Sequence, residues 1–145
     1  MGSIVVGVDG SQNSIAALRW AAEHAQRTGS DIRAVAVWEF PYLMATGPLG
    51  MAAPPELDLQ GATEEMLDQA LRDAALPDTV TVNRVVREGA PATVLLDEAK
   101  KDADLIVVGA RGHGGFVGLL VGSVATQVVN HATIPTVVVR APEEE

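Results

Sequence analysis

Five short runs of aliphatic and β-branched residues, separated by stretches with helical spacing, decide what this chain can fold into. They are IVVGV at residues 4–8, AVAVW at 34–38, a run at about 80–86, LIVVG at 105–109 and TVVVR at 136–140. Such brief, continuously apolar runs read as strands buried on both faces, as in a parallel sheet. Between the first two, Ile15, Leu18, Ala22 and Ala25 fall on one helical face over residues 15–27. Ser11, Asn13 or Ser14 can cap that helix, and Gly29 stands where a left-handed terminator belongs. A second helix is expected from about residue 63, with Glu64 and Glu65 in its first turn, to residue 76, where Pro77 blocks continuation. Pro91 suits the first position of a third helix ending near Lys100 and Lys101, and a fourth is expected over about 123–131.

Strictly alternating strands and helices imply right-handed crossovers and helices on both faces of the sheet. The expectation is an α/β, doubly wound, Rossmann-like fold: a five-stranded parallel sheet in the order 3-2-1-4-5 with four helices. Residues 1–145 read as a single domain without internal repeats. Residues 39–62 hold Pro41, Pro48, Pro54, Pro55, Gly47, Gly50 and Gly61 and read as one long mobile loop, and 141–145 as an acidic tail.

Composition narrows the function classes. There are no cysteines, which excludes a disulfide scaffold and thiolate metal sites and fits a reducing compartment. Ten basic residues stand against 19 acidic ones, a net charge of −9, and the arginines are scattered. Phosphate backbones would be repelled, so nucleic acid is not an expected partner. No apolar run approaches the length of a membrane span and no basic segment precedes the first strand, so membrane partnership is not expected and the location reads as cytoplasmic.

In an open α/β sheet, ligands bind beyond the carboxyl ends of the strands, where strand order reverses. For the order 3-2-1-4-5 that point lies between strands 1 and 4, and both are followed by unusual loops. Val8-Asp9-Gly10-Ser11 follows the first, and GARGHGGFVGLLVGSV, residues 109–124, follows the fourth. Glycines permit positive φ and close approach of backbone to a ligand. Amides leading into a helix N-terminus form an anion site. The combination points to a phosphate-bearing ligand. It is neither a Walker A loop, lacking Gly-Lys-Ser/Thr, nor a GxGxxG after the first strand.

The spacing of Gly109, Gly112, Gly122 and Ser123 reproduces G-x2-G-x9-G-(S/T), and with the IVVGVDGS opening and the IPTVVVR close the chain resembles the ATP-binding branch of the universal stress proteins. The resemblance covers essentially the whole chain and implies ATP, with Mg²⁺, held between strands 1 and 4 of a homodimer. It implies that Val8 and Asp9 lie beside the adenosine and that the backbone of Val37 meets the adenine edge. Gly109 and Gly112 would line the ribose and phosphate turn, and Gly122, Ser123 and the Val124 amide would hold the terminal phosphates. It implies pairing of two subunits through the edge strand from Thr136 to Arg140.

Each residue also has a plainer reading. Asp9 can cap the first helix or order its own loop, and Ser123 can serve as an N-cap. Arg111, the loop's one cation, can meet phosphate or water, and so can His113. Three separated histidines, without HExxH or GxSxG, make neither a metal site nor a nucleophilic triad. The leading reading is therefore a regulatory ATP-holding protein with slow or no hydrolysis. An ATPase or nucleotidyl-transfer enzyme, a cyclic-nucleotide binder and a dimeric interaction module without nucleotide are the alternatives.

Overall fold

The computed structural model describes residues 2–40, 58–112 and 121–142. Its strands are β1 (Ser3–Gly7), β2 (Asp31–Trp38), β3 (Val82–Glu88), β4 (Leu105–Gly109) and β5 (Thr136–Val139), and its helices α1 (Gln12–Thr28), α2 (Leu59–Ala74), α3 (Pro91–Asp102) and α4 (Ser123–His131). The strands form one parallel sheet, as the alternation implied, in the expected order β3-β2-β1-β4-β5.

Alternation along each strand feeds two cores. Ile4 and Val6 of β1 and Val107 of β4 face α1 and α2, where they meet Leu18, Ala21, Ala22, Leu67 and Ala70. Val5, Ile106 and Val108 face α3 and α4, against Val94, Leu95, Ala125 and Val128. Alanines on the sheet-facing side of α1 are 0–2% exposed, so this helix sits close to the strands without large side chains between. Fully burying each of the larger aliphatic side chains contributes about 1.5–3 kcal/mol.

The ends of the elements follow local chemistry. Ser11 is the N-cap of α1, its hydroxyl accepting from Ser14 N, and Gly29 closes the helix at φ 72°. The second helix begins earlier than expected, at Leu59, because Asp58 caps it by accepting from Gly61 N at 2.8 Å. The part of the expected 39–62 loop from 59 onward is therefore helical, while residues 41–57 lie outside the described residues, as do 143–145 of the acidic tail. The same helix stops before Pro77, at Ala75, which adopts φ 51°. The third strand runs two residues later than its apolar run suggested. Val80 is a buried plug in the turn closed by Val80 N donating to Pro77 O, not a strand residue.

One buried acid was not foreseen. Glu98 of α3 is 2% exposed; its Oε2 lies 2.7 Å from Lys101 Nζ and its Oε1 4.0 Å from Arg87. Arg33 of β2 donates to the Glu98 carbonyl and to Asp102, which ties the C-terminal end of α3 across the sheet.

The two margins of the sheet differ in kind. β3 carries Arg84, paired with Asp68 of α2, together with Arg87 and Glu88. β5 is Thr-Val-Val-Val, every residue partly exposed. The carbonyls of Pro135 and Val139 turn inward and accept from Ile106 N and Ala110 N. Strand alternation therefore turns the N–H and C=O groups of Thr136 and Val138 outward.

Candidate functional site

The register of β1 with its neighbours builds a cleft at the carboxyl end of the sheet. β1 pairs with β2 as far as Gly7 opposite Val35, and with β4 as far as Val6 opposite Val107, after which the chain turns away into α1. β2 continues to Trp38, and β4 to Gly109. A gap opens above the end of β1, floored by the strand ends and walled by the helix starts. It is a cleft of about 320 Å³, in the range of small-molecule sites.

Nine of the ten residues singled out from the sequence line this one cleft: Val8, Asp9, Val37, Gly109, Arg111, Gly112, Gly122, Ser123 and Val124. The tenth, His113, lies outside the described residues. Val8 is buried and its amide donates to Val35 O at 2.8 Å. Val35 O thus points toward β1, and Trp38 O, which accepts from Gly89 N, points toward β3. By the same alternation the peptide groups of Val37 turn to the β1 side, at a level where β1 has ended.

Asp9 sits in a turn made possible by Gly10 at φ 84°. Its Oδ1 accepts from Ser11 N at 2.9 Å and from Ser11 Oγ at 2.5 Å. Asp9 N approaches Ser14 Oγ at 3.4 Å, and that hydroxyl donates to Ser11 O. Asp9 therefore orders its loop and also lines the cleft, while Ser11 does the capping.

The three signature glycines have three different reasons, none of them a positive φ. Among the described glycines that conformation belongs to Gly10, Gly29 and Gly89, so at 109, 112 and 122 glycine serves close approach. A Cβ on Gly109 would lie 2.8 Å from the backbone carbon and Cβ of Asn13, so its absence admits the first turn of α1. A Cβ on Gly112 would collide with Asp9 Oδ2. A Cβ on Gly122 would stand 3.3 Å from Ala110 O and Arg111 Cα, at the head of α4.

Gly122, not Ser123, is the N-cap of α4, and it offers no side chain to the helix amides. Gly122 N donates to Ala110 O at 2.5 Å, and the helical bonding begins with Thr126 N to Gly122 O. The amides of Ser123, Val124 and Ala125 precede that bond, and all three residues line the cleft. This is the arrangement that favours an anion, both by hydrogen bonding and by the helix dipole.

Sequence reasoning missed other lining residues, among them Ser14, Pro91 and Leu95. Leu95 reads only as an apolar helix residue. Pro91 carried a usable signal, because a proline-started helix following a strand places its N-terminus at the carboxyl end of the sheet. The charged residues lining the cleft are Asp9 and Arg111 among the described residues. Those residues hold no cluster of three or more acids or histidines that could by itself bind a metal ion. No helix among them is long and apolar enough to cross a membrane.

Comparison with known proteins agrees with this geometry. A universal stress protein of Mycolicibacterium smegmatis is 37% identical over 139 residues, covering 94% of this chain and 45% of the relative, so the chain spans about half the length of the curated relatives it matches. The structure of a universal stress protein from Lactobacillus plantarum superposes with a TM-score of 0.70 at 27% identity, over 96% of this chain and 97% of that one. A universal stress protein from Archaeoglobus fulgidus, solved in complex with dAMP, superposes at 0.59 with 26% identity, over 96% and 98%. The model of the universal stress protein family matches residues 1–140, and with the shared sheet order and these relatives it shows that the chain belongs to that family.

Proposed function

We propose that the chain acts as a single cytoplasmic domain that holds ATP, brought in with Mg²⁺, and that its occupancy serves a regulatory role in a stress response. The observation that carries this reading is the convergence of Gly112, Gly122 and the uncapped N-terminus of α4 on one cleft at the switch point between β1 and β4. The amides of residues 123–125 receive the phosphates. Asp9 lies on the ribose side, and the inward-turned peptide of Val37 meets the adenine edge. The dAMP complex of the Archaeoglobus relative supports the adenine nucleotide class. The G-x2-G-x9-G-S spacing supports a triphosphate.

The charged groups of the cleft among the described residues, one carboxylate and one guanidinium, suit holding a phosphate chain better than moving a phosphoryl group. Denaturing the purified protein and analysing the supernatant by mass spectrometry is expected to release an adenine nucleotide. Titration of the emptied protein with Mg-ATP should give saturable heat and thermal stabilisation, with turnover below about 1 s⁻¹. A flat titration would overturn the reading, and product formation at ordinary enzymatic rates would move it to an ATPase. Cyclic AMP as competitor separates the triphosphate from the cyclic ligand.

The reading includes a two-fold homodimer through β5. The outward groups of Thr136 and Val138 form an unblunted edge, and Val129 of α4, one of the helices that touch β5, is 51% exposed. Val138→Pro removes one outward donor without touching the bonds to β4. Sedimentation is expected to show the unaltered chain as a dimer and this variant as the 15.1 kDa monomer. A monomeric unaltered chain at micromolar concentration would refute the pairing.

A further inference from the structure

Ser11 is more than the cap of α1. The residue is 8% exposed, and its hydroxyl is used twice. It accepts from Ser14 N at 3.2 Å, which is all that capping requires, and it gives its single proton to Asp9 Oδ1 at 2.5 Å. Arg111 O, at 3.5 Å, is the more distant alternative for that proton. Ser11 N adds a second hydrogen bond to the same carboxylate oxygen at 2.9 Å.

An exposed aspartate ordinarily samples several rotamers, and a ligand that needs one of them must pay for ordering it. Here Oδ1 is taken by Ser11, and Gly112 is packed so closely on Oδ2 that a Cβ there would collide with it. Ser11 therefore helps to fix which way the Asp9 carboxylate faces, with its other oxygen beside the start of the β4–α4 loop. We infer that Ser11 is a positioning residue for ligand binding: its hydroxyl pre-orients the Asp9 carboxylate toward the bound nucleotide, in addition to capping α1. The inference rests on the nucleotide reading above.

The two roles can be separated because glycine is almost as good an N-cap as serine and has no hydroxyl. Ser11→Gly is expected to melt within about 2 °C of the unaltered protein and to bind Mg-ATP up to about tenfold more weakly, the cost of ordering one side chain on binding. Ser11→Thr provides a second probe should the glycine loosen the helix: threonine caps and keeps a hydroxyl to give, so it should bind within about twofold of the unaltered chain. In an Asp9→Asn background the further loss from Ser11→Gly should shrink to less than about twofold, because the hydroxyl acts through that carboxylate.

Equal affinity of Ser11→Gly and the unaltered chain would overturn the inference. So would a tenfold loss that persists undiminished in the Asp9→Asn background. If instead the unaltered protein gives no heat with Mg-ATP, the nucleotide reading itself has failed.

Discussion

Replacing Gly122 with valine is expected to abolish nucleotide binding, by at least about a hundredfold, while leaving the fold in place. The backbone there is at φ −77° and ψ 173°, a conformation valine adopts without strain. The Cβ would meet Ala110 O and Arg111 Cα at 3.3 Å, tight but relieved by a shift of a few tenths of an ångström. Two methyls, however, would project where the first amides of α4 open into the cleft, and a ligand's phosphates could no longer reach them. Isothermal titration with Mg-ATP beside a thermal melt reads both effects. Unchanged affinity would show that the phosphates are not held at the head of α4.

Gly109→Val is expected to do the opposite: to damage the fold first. Its Cβ would lie 2.8 Å from Asn13 C and Cβ and 3.0 Å from Asn13 O, and backbone cannot rotate away as a side chain can. Relief requires moving the first turn of α1 off β4. That turn is held by the Ser11 cap and by Asn13 Oδ1, which accepts from Ala141 N at 2.7 Å. Overpacking of this kind costs about 3 kcal/mol, lowering the melting temperature by roughly 10 °C for a domain of this size. A valine variant that melts with the unaltered protein would show that α1 yields at no cost. Two glycines of one motif should thus separate cleanly, one by affinity and one by stability.

The separation also shows what a sequence motif can and cannot convey. The parallel, doubly wound sheet was legible because the buried runs are short and alternate with helices, whereas its order came from choosing one of the few topologies that remain. The place of the cleft followed from that order. What the spacing of Gly109, Gly112 and Gly122 conceals is why each is glycine. From the sequence, positive φ and close approach were both open, and the structure gives three separate steric reasons. Those reasons depend on Asn13 and Asp9, distant along the chain, and on Ala110, inside the motif but set against Gly122 only by the fold. The cap of α4 was misassigned to Ser123 because serine is the stronger capping residue, whereas the chain places Gly122 there and leaves the amides unanswered by a side chain. The start of α2 was hidden by Gly61, which reads as a breaker but is the residue whose missing Cβ lets Asp58 reach its amide. Glu98 could not be foreseen as buried, since its partners Arg87 and Lys101 come together only once α3 lies across the sheet.

The unlike margins of the sheet carry a consequence for the size of any assembly built on it. Joining two copies through β5, as proposed, would use up the uncharged margin of the sheet described for each. What then remains at both outer limits is the side bearing arginines and a glutamate, where another backbone finds charge rather than a vacant ladder. Association of that type would close after one step, so the proposed pairing would also guard against open-ended fibres.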